Sequence, residues 1–197
     1  TFEPLGVIGS IMPWNFPLWQ ALRFAIPAII AGNVQIVKPS STTPNSGGLL
    51  IEELFKKCKF PHHVFQTVIG DASTGTALIE SRINAVSLTG SVETGSKIAQ
   101  LAARDIKKFV LELGGSDPFI VLEDADTEKA VSTGVGARFL NCGQSCIAAK
   151  RFVVVKSKIE EFTEKFIEKA KQLKVGDPLD PETDVGPMVS AAQRDRL

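Results

Sequence analysis

The sequence predicts an α/β protein, with a Rossmann-like parallel sheet covered by helices on both faces and, after it, part of a second α/β domain. Three observations predict this class. Apolar, β-branched segments alternate with segments of helical spacing along residues 4–115. A glycine pair, Gly114–Gly115, interrupts the series, and a second, shorter strand–helix series follows it. We therefore predict two domains, 1–114 and 115–197.

The first series comprises five strands and four helices. Its strands are bounded by proline or glycine, and its helices show spacing such as Leu50, Leu54 and Phe55. The predicted strands are 4–12, 33–40, 64–70, 83–90 and 107–115, and the predicted helices are 18–31, 46–58, 73–81 and 91–103. Strands that alternate with helices in this way form parallel sheets, which bind ligands at the carboxyl ends of their strands.

The second series has two strands and two helices. The strands are predicted at 118–123 and 150–157, and the helices at 126–140 and 158–173. The last helix is amphipathic, because Ile159, Phe162 and Phe166 share one side and lysines and glutamates occupy the other. This pattern predicts a helix that packs against a small sheet.

Composition narrows the classes of partner. The 197 residues carry zero net charge, so we expect neither a nucleic-acid surface nor a polybasic membrane patch. Pro27 and Gly32 interrupt the longest apolar stretch, and no signal peptide is evident, so no membrane span is expected. Three cysteines are too few for a disulfide framework, which favours the reducing cytoplasm.

Polar residues follow the first two predicted strands. "PWNFP" (13–17) places Asn15 between stiff neighbours, where its amide could donate to an oxyanion; an ordinary turn asparagine is the alternative. "IVKPSSTTP" (36–44) places Lys38 before Ser40 and Ser41, which could contact a ribose or phosphate. A lysine that simply points into water is the alternative there.

Two further motifs follow the fourth and fifth strands. In "LTGSVETG" (88–95), Gly90 permits close backbone approach and Ser91 could cap a helix whose N-terminus favours an anion, although a plain cap is as good a reading. The spacing of Gly90 and Gly95 is not the G-x-G-x-x-G fingerprint. In "LELGG" (111–115), burial of Glu112 would raise its pKa into the range of a general base; a pair with a basic neighbour is the alternative.

The stretch "FLNCGQSCIAAKRF" (139–152) contains Cys142 and Cys146. A zinc site is improbable, because the two histidines, His62 and His63, are adjacent in a turn-like segment and lack ligand spacing. A buried structural thiol is the main alternative. The small neighbours of Cys146 favour a nucleophile with room for a substrate, whereas Cys142 is interpreted as structural or as a nearby spare thiol.

Taken in order, "PWNFP", "KPSS", "LTGSVETG", "LELGG" and "NCGQSC" resemble the aldehyde dehydrogenase superfamily, over essentially the whole chain. The segment "IMPWNFPLWQALRFAIPAIIAGN" looks most like its succinate-semialdehyde dehydrogenase branch. The resemblance implies a nucleophile, Cys146, a general base, Glu112, and an oxyanion-hole amide, Asn15. It also implies coenzyme contacts, namely Trp14, Lys38, Ser40, Ser41, Gly90, Ser91, Gly95 and Leu113.

Coenzyme and substrate preferences follow from the same resemblance. Many NAD-preferring relatives carry a glutamate at the position of Ser41, so we expect NADP to be preferred and NAD to be possible. Asn15, Trp19 and Arg23 are spaced to share one helical face. We expect Arg23 to bind the far carboxylate of succinate semialdehyde, with Trp19 as pocket wall and Ser145 nearby; a structural salt bridge of Arg23 is an equal alternative.

Relatives are much longer, so the chain is expected to be an internal fragment of a homo-oligomeric parent, a dimer or tetramer, and to be poorly active alone. Five other readings remain. Two are enzymes of the same family, namely a dehydrogenase for another small aldehyde and one that acylates coenzyme A. The others are a thioester-forming esterase, an inactive scaffold and a plain dinucleotide-binding module. Glu112 argues against coenzyme A, and the joint presence of Asn15, Glu112 and Cys146 argues against a dead scaffold.

Overall fold

A computed structural model describes residues 3–197, and the chain divides into two compact units, Thr1–Gly114 and Gly115–Leu197. The first unit is a five-stranded, fully parallel sheet with strand order β3-β2-β1-β4-β5. Its strands are β1 (Val7–Ile11), β2 (Val34–Lys38), β3 (Phe65–Thr67), β4 (Ala85–Thr89) and β5 (Lys108–Glu112). Its helices are α1 (Pro17–Ile30), α2 (Leu50–Lys57), α3 (Ala72–Glu80) and α4 (Val92–Arg104).

Helices cover both faces of this sheet, as the alternating pattern predicts. On one face, Ala21 and Ala25 of α1 and Ile51 of α2 pack with Val37 and Phe65. On the other face, side chains of α3 and α4 pack with those of β4; the buried members of this cluster are Leu78, Ile79, Ile83, Val86, Leu88, Ile98 and Ala102. The predicted Rossmann-like class is therefore confirmed.

A π-helical turn, Asn45–Leu49, precedes α2. The sequence predicted one continuous helix over 46–58 and gave no sign of this turn. Its two glycines are buried, and a Cβ on Gly48 would lie 2.4 Å from Cγ2 of Thr67. The chain needs a residue without a side chain there, because the turn passes directly against the β3 strand.

The second unit is smaller. Strands β6 (Asp117–Val121) and β7 (Ala149–Val154) pair in parallel, and helices α5 (Thr127–Phe139) and α6 (Ile159–Lys171) pack together. Phe119, Phe152, Phe162 and Phe166 form the aromatic part of its core. A short helix, α7 (Ala191–Arg194), was not predicted from the sequence. No helix in the described part of the chain has both the length and the apolar character needed to cross a bilayer.

Candidate active site

The predicted site residues of the first unit follow strands that end at one edge of the sheet. The parallel register places Ile11 of β1 beside Lys38 of β2 and Leu88 of β4, and Thr89 beside Glu112 of β5. The strand order reverses between β1 and β4, since β2 and β3 lie on one side of β1 and β4 and β5 on the other. Open α/β sheets bind ligands at this switch point.

Asn15 lies in the bend between β1 and α1, not on the helix. The helix begins at Pro17, after an N-cap residue, Phe16, whose φ of −140° is not helical. Proline at the first helical position sets this start, because its fixed φ suits a helix and its missing N–H is not needed there. The prediction that Asn15 shares a helical face with Trp19 and Arg23 is therefore wrong; Trp14 and Asn15 are both half-buried in the bend.

Trp19 and Arg23 are one turn apart on the exposed side of α1. With Leu18, Leu22, Ile26 and Pro27 they line a shallow, mainly apolar groove of about 530 Å³. Trp19 is 63% exposed. An apolar wall with one guanidinium suits a short chain that ends in a carboxylate.

Glu112 is exposed, with 54% of its side chain accessible. The apolar sequence around Glu112 suggested a buried carboxyl group, and the structure does not show one. β5 is the edge strand of the sheet, which leaves Phe109 and Val110 exposed as well. Glu112 Oε2 lies 4.0 Å from Nη2 of Arg23. The ion-pair alternative for both residues is thus present in the structure.

Lys38 is only 7% exposed, so it does not point into water. Its Nζ donates to the carbonyl of Pro39 at 3.2 Å. Burial lowers the pKa of Lys38, and the carboxylate of Asp71 partly opposes that shift by raising it. Ser40 Oγ accepts from the N–H of Thr42, and the side chain of Ser41 is exposed.

Asp71 is a candidate functional residue that sequence reasoning missed. It is the N-cap of α3 and accepts from the backbone N–H of Ser73 at 2.8 Å. An aspartate two residues before a serine at a helix start was a visible signal of a cap. Its proximity to Lys38 was not visible, because that depends on the packing of α3 over the end of β1, where the Lys38 side chain also lies.

The predicted turn and helix after β4 form as expected. Ser91 caps α4, with its Oγ accepting from the N–H of Thr94 at 3.1 Å. The N–H of Gly90 donates to the carbonyl of Glu112 at 2.9 Å. A Cβ on Gly95 would lie 2.6 Å from Cδ2 of Leu113, so the glycine lets Leu113 pack directly against α4.

These groups fit an anionic dinucleotide. One buried ammonium, the serine hydroxyls that follow it and the N-terminus of α4 stand at the same sheet edge. Helix N-termini and lysine side chains are the groups that proteins commonly use for phosphates, and serine hydroxyls can hydrogen-bond a ribose. Lys38, Ser40, Ser41, Gly90 and Ser91 could therefore hold a nicotinamide dinucleotide.

In the second unit, Cys146 lies in the loop that joins α5 to β7. After α5 the chain makes a 3₁₀ turn, Leu140–Gly143, in which Asn141, Cys142 and Gly143 have φ values of 52°, 58° and 74°. Three consecutive left-handed residues are costly outside glycine and asparagine, which indicates that surrounding contacts hold the loop. Cys146 is half-buried at the turn that follows.

Lys150 and Gln144 hold this loop, and neither was predicted. Lys150 Nζ donates to the carbonyls of Cys146, at 2.8 Å, and of Gly115, at 2.7 Å. Gln144 Oε1 accepts from the backbone N–H of Val189 at 2.9 Å. The Gln144 side chain and, through Lys150, the Cys146 carbonyl are therefore tied to distant parts of the same unit.

Cys142 and Cys146 are both half-buried, and their neighbours differ. Ser145, expected near the substrate, is 5% exposed, and within residues 3–197 its Oγ has no hydrogen-bond partner. Cys142 is half-buried, with its Sγ 3.9 Å from the position of a Cβ on Gly186. Nowhere in residues 3–197 do three or more His, Cys, Asp or Glu side chains gather in a way that could hold a metal ion.

Known proteins resemble the chain over its whole length. Succinate-semialdehyde dehydrogenase [NADP(+)] of Mycobacterium avium (strain 104) is 50% identical over 197 residues, and the corresponding enzyme 1 of Mycobacterium ulcerans (strain Agy99) is 48% identical. All of this chain matches, but it spans only 42% and 43% of those proteins.

A solved structure of PnpE in complex with nicotinamide adenine dinucleotide superimposes with a TM-score of 0.92 and 43% identity. That match covers 98% of this chain and 40% of the PnpE chain. The sequence profile of the aldehyde dehydrogenase family matches residues 1–197. Because the family profile matches residues 1–197 and a relative is 50% identical over the same residues, the chain belongs to the aldehyde dehydrogenase family.

Proposed function

We propose that the protein oxidises an aldehyde to its carboxylic acid, with succinate semialdehyde as the substrate, NADP as the preferred coenzyme and NAD as an alternative. The observation that carries the proposal is the alignment of Asn15, Lys38 and the capped start of α4 along one sheet edge, in a chain of this family. The name of the Mycobacterium avium relative supports both the substrate and the coenzyme.

Three side chains of the chain perform the chemistry in this proposal. The Cys146 sulfur attacks the aldehyde carbon as a thiolate and forms a tetrahedral adduct. The Asn15 amide donates to the oxyanion, and one such donor lowers a barrier by roughly 3–4 kcal/mol. Glu112 then takes a proton from water, which attacks the thioester on Cys146 and releases the acid.

The coenzyme supplies the acceptor for the hydride that leaves the aldehyde carbon. Lys38, Ser40 and Ser41 would hold its adenosine ribose. The backbone from Gly90 to Gly95, including Ser91, would lie near its phosphates, and Trp14 and Leu113 would be apolar contacts. A serine at position 41 leaves a 2′-phosphate without a repelling carboxylate at that position. This supports NADP as the preferred coenzyme.

The far end of the substrate is assigned to the groove on α1. Arg23 binds the terminal carboxylate, Trp19 forms a wall and Ser145 lies near the reacting carbon. The position of Arg23 4.0 Å from Glu112 supports a charged site, because a second carboxylate could replace or share that contact. A small uncharged aldehyde lacks this contact and is the second candidate substrate.

We further propose that residues 1–114 bind the coenzyme and residues 115–197 supply the nucleophile. The protein acts in the cytoplasm as a homo-oligomer, a dimer or tetramer, with no nucleic-acid or membrane partner. The near-neutral charge and three free cysteines support a cytoplasmic protein.

Steady-state assays of the whole protein test the proposed function. Reduced coenzyme should form with succinate semialdehyde and NADP, and Cys146→Ala should abolish it while Cys142→Ala, a matched thiol substitution four residues away, retains it. Brief iodoacetamide treatment followed by mass spectrometry should label Cys146 selectively. Full activity of Cys146→Ala, or ester hydrolysis without any aldehyde oxidation, would reject the proposal.

A further inference from the structure

Asp71 presents a carboxylate at the start of α3. As the N-cap residue it accepts from the backbone N–H of Ser73 at 2.8 Å and from the Ser73 hydroxyl at 2.6 Å, both on Oδ1. These bonds lower the pKa of Asp71, with the Ser73 side chain as the largest cause. The carboxylate is therefore negatively charged and fixed in direction.

The side chain of Lys38 runs along this same part of α3. A Cβ on Gly75 would lie 3.8 Å from Cδ of Lys38. Gly75 is one turn after Asp71, whose carbonyl accepts from the Gly75 N–H at 3.4 Å, so the two share a helical face. The carboxylate raises the pKa of Lys38 against the larger, lowering effect of burial, as expected for opposite charges on neighbouring elements.

The two charges act in opposite ways on the groups that distinguish the coenzymes. The Lys38 ammonium would attract the 2′-phosphate of a bound NADP, whereas the Asp71 carboxylate would repel it. A ribose 2′-hydroxyl, which NAD carries at the same position, can instead donate to a carboxylate. Ser40 and Ser41, which follow Lys38, are neutral and add no repulsion.

We propose that Asp71 is a specificity-determining residue, whose carboxylate keeps the preference for NADP over NAD lower than Lys38 and the serines alone would make it. The inference rests on the proposed function, because it assumes that the adenosine ribose binds at Lys38. It assigns a coenzyme role to a residue outside the motifs through which the family was recognised.

Asp71→Asn tests the proposal. Asparagine caps helices about as well as aspartate, so the substitution removes the charge and keeps the cap. Because an exposed charge is partly screened, we expect NADP and adenosine 2′-phosphate to bind about two- to fivefold more tightly relative to NAD and adenosine 5′-phosphate. Calorimetric titration of the protein with these four compounds measures the ratio without requiring turnover, and the gain should shrink as salt is raised.

Two control variants isolate the charge. Asp126→Asn makes the same substitution at the N-cap of α5, where Asp126 accepts from the N–H of Lys129, and should leave the NADP-to-NAD ratio unchanged. Asp71→Glu keeps the charge and should stay close to the original ratio. If Asp71→Asn melts at a lower temperature, Asp71→Ser, which also caps without charge, replaces it.

The outcomes separate this inference from the proposed function. An unchanged ratio in Asp71→Asn, with both coenzymes still bound and aldehyde oxidised, overturns the inference alone. Weaker NADP binding in Asp71→Asn also overturns it, since the carboxylate would then serve to keep Lys38 charged. A protein that binds neither coenzyme overturns the proposed function together with the inference.

Discussion

Arg23→Ala distinguishes a substrate-binding arginine from a structural one. In the structure Arg23 contacts Glu112, and in the proposed function it binds the far carboxylate of the substrate. If the second role is real, removal of the guanidinium should impair oxidation of succinate semialdehyde far more than oxidation of butanal, which has four carbons and no carboxylate.

The structure sets the size of each effect. Nη2 of Arg23 and Oε2 of Glu112 are 4.0 Å apart, with 39% and 54% of the side chains exposed. Two unit charges at that distance in water interact by about 1 kcal/mol, and exposed pairs typically contribute ~0–1 kcal/mol to stability. A hydrogen bond to a charged group contributes about 1.5–3 kcal/mol, so its loss should lower kcat/KM for succinate semialdehyde about 10- to 150-fold.

The assay compares kcat/KM for both aldehydes in Arg23→Ala and in a matched variant, Arg104→Ala. Arg104 lies 3.8 Å from Glu80 in another exposed pair, so its removal reproduces the loss of a surface ion pair alone. Urea unfolding should show a loss of no more than about 1 kcal/mol in either variant.

Equal losses for the two aldehydes would refute the reasoning. Such a result would mean that Arg23 acts through Glu112, whose surroundings matter for any substrate. Unchanged kinetics with both aldehydes would leave Arg23 with only its ion pair.

Three more predictions concern residues that are buried, packed closely against a neighbour or hydrogen-bonded to the loop of Cys146. Lys38→Met should raise the unfolding temperature, because burial lowers the pKa of Lys38 and so penalises its charged form, and it should weaken NADP binding because the ammonium is removed. The gain in stability should narrow as pH rises from the lowered pKa of folded Lys38 to the ordinary value of 10.5, above which the lysine is neutral in the folded and the unfolded chain alike. Lys150→Met should slow alkylation of Cys146 and reduce kcat, whereas Lys150→Arg should restore both in part, because Lys150 holds the Cys146 carbonyl. Gly95→Val should destabilise the fold by about 1–3 kcal/mol in chemical denaturation and weaken coenzyme binding, because its side chain would displace Leu113.

Topology was predictable because it depends on repeated local patterns. The run at 4–12 is apolar and β-branched, and it forms the central strand β1, which needs such residues on both faces. A helix between each pair of consecutive strands favours a parallel sheet, in which each helix forms the crossover connection from one strand to the next. The predicted ends differ from the observed ones by a few residues, since helix and strand ends depend on contacts as well as on local preference.

The environment of single side chains was less predictable. Glu112 sits in an apolar run, which favours burial, but its strand is the sheet edge and the side chain is exposed. Asn15 has helical spacing to Trp19, but the proline at position 17 starts the helix two residues later. Strand order and the exact helix start decide both cases, and neither can be derived from spacing alone.

The loop around Cys146 shows the limit of sequence patterns most clearly. Its small neighbours and the family resemblance predict that Cys146 is the nucleophile, and both are local properties of the sequence. The hydrogen bonds that hold the loop join Lys150 to Gly115, 35 positions away, and Gln144 to Val189, 45 positions away. A left-handed Cys142 persists only where such contacts compensate its backbone cost. The residue types proposed for the chemistry can therefore be recognised from the local sequence. The position of the sulfur depends on long-range hydrogen bonds, which form only in the folded unit.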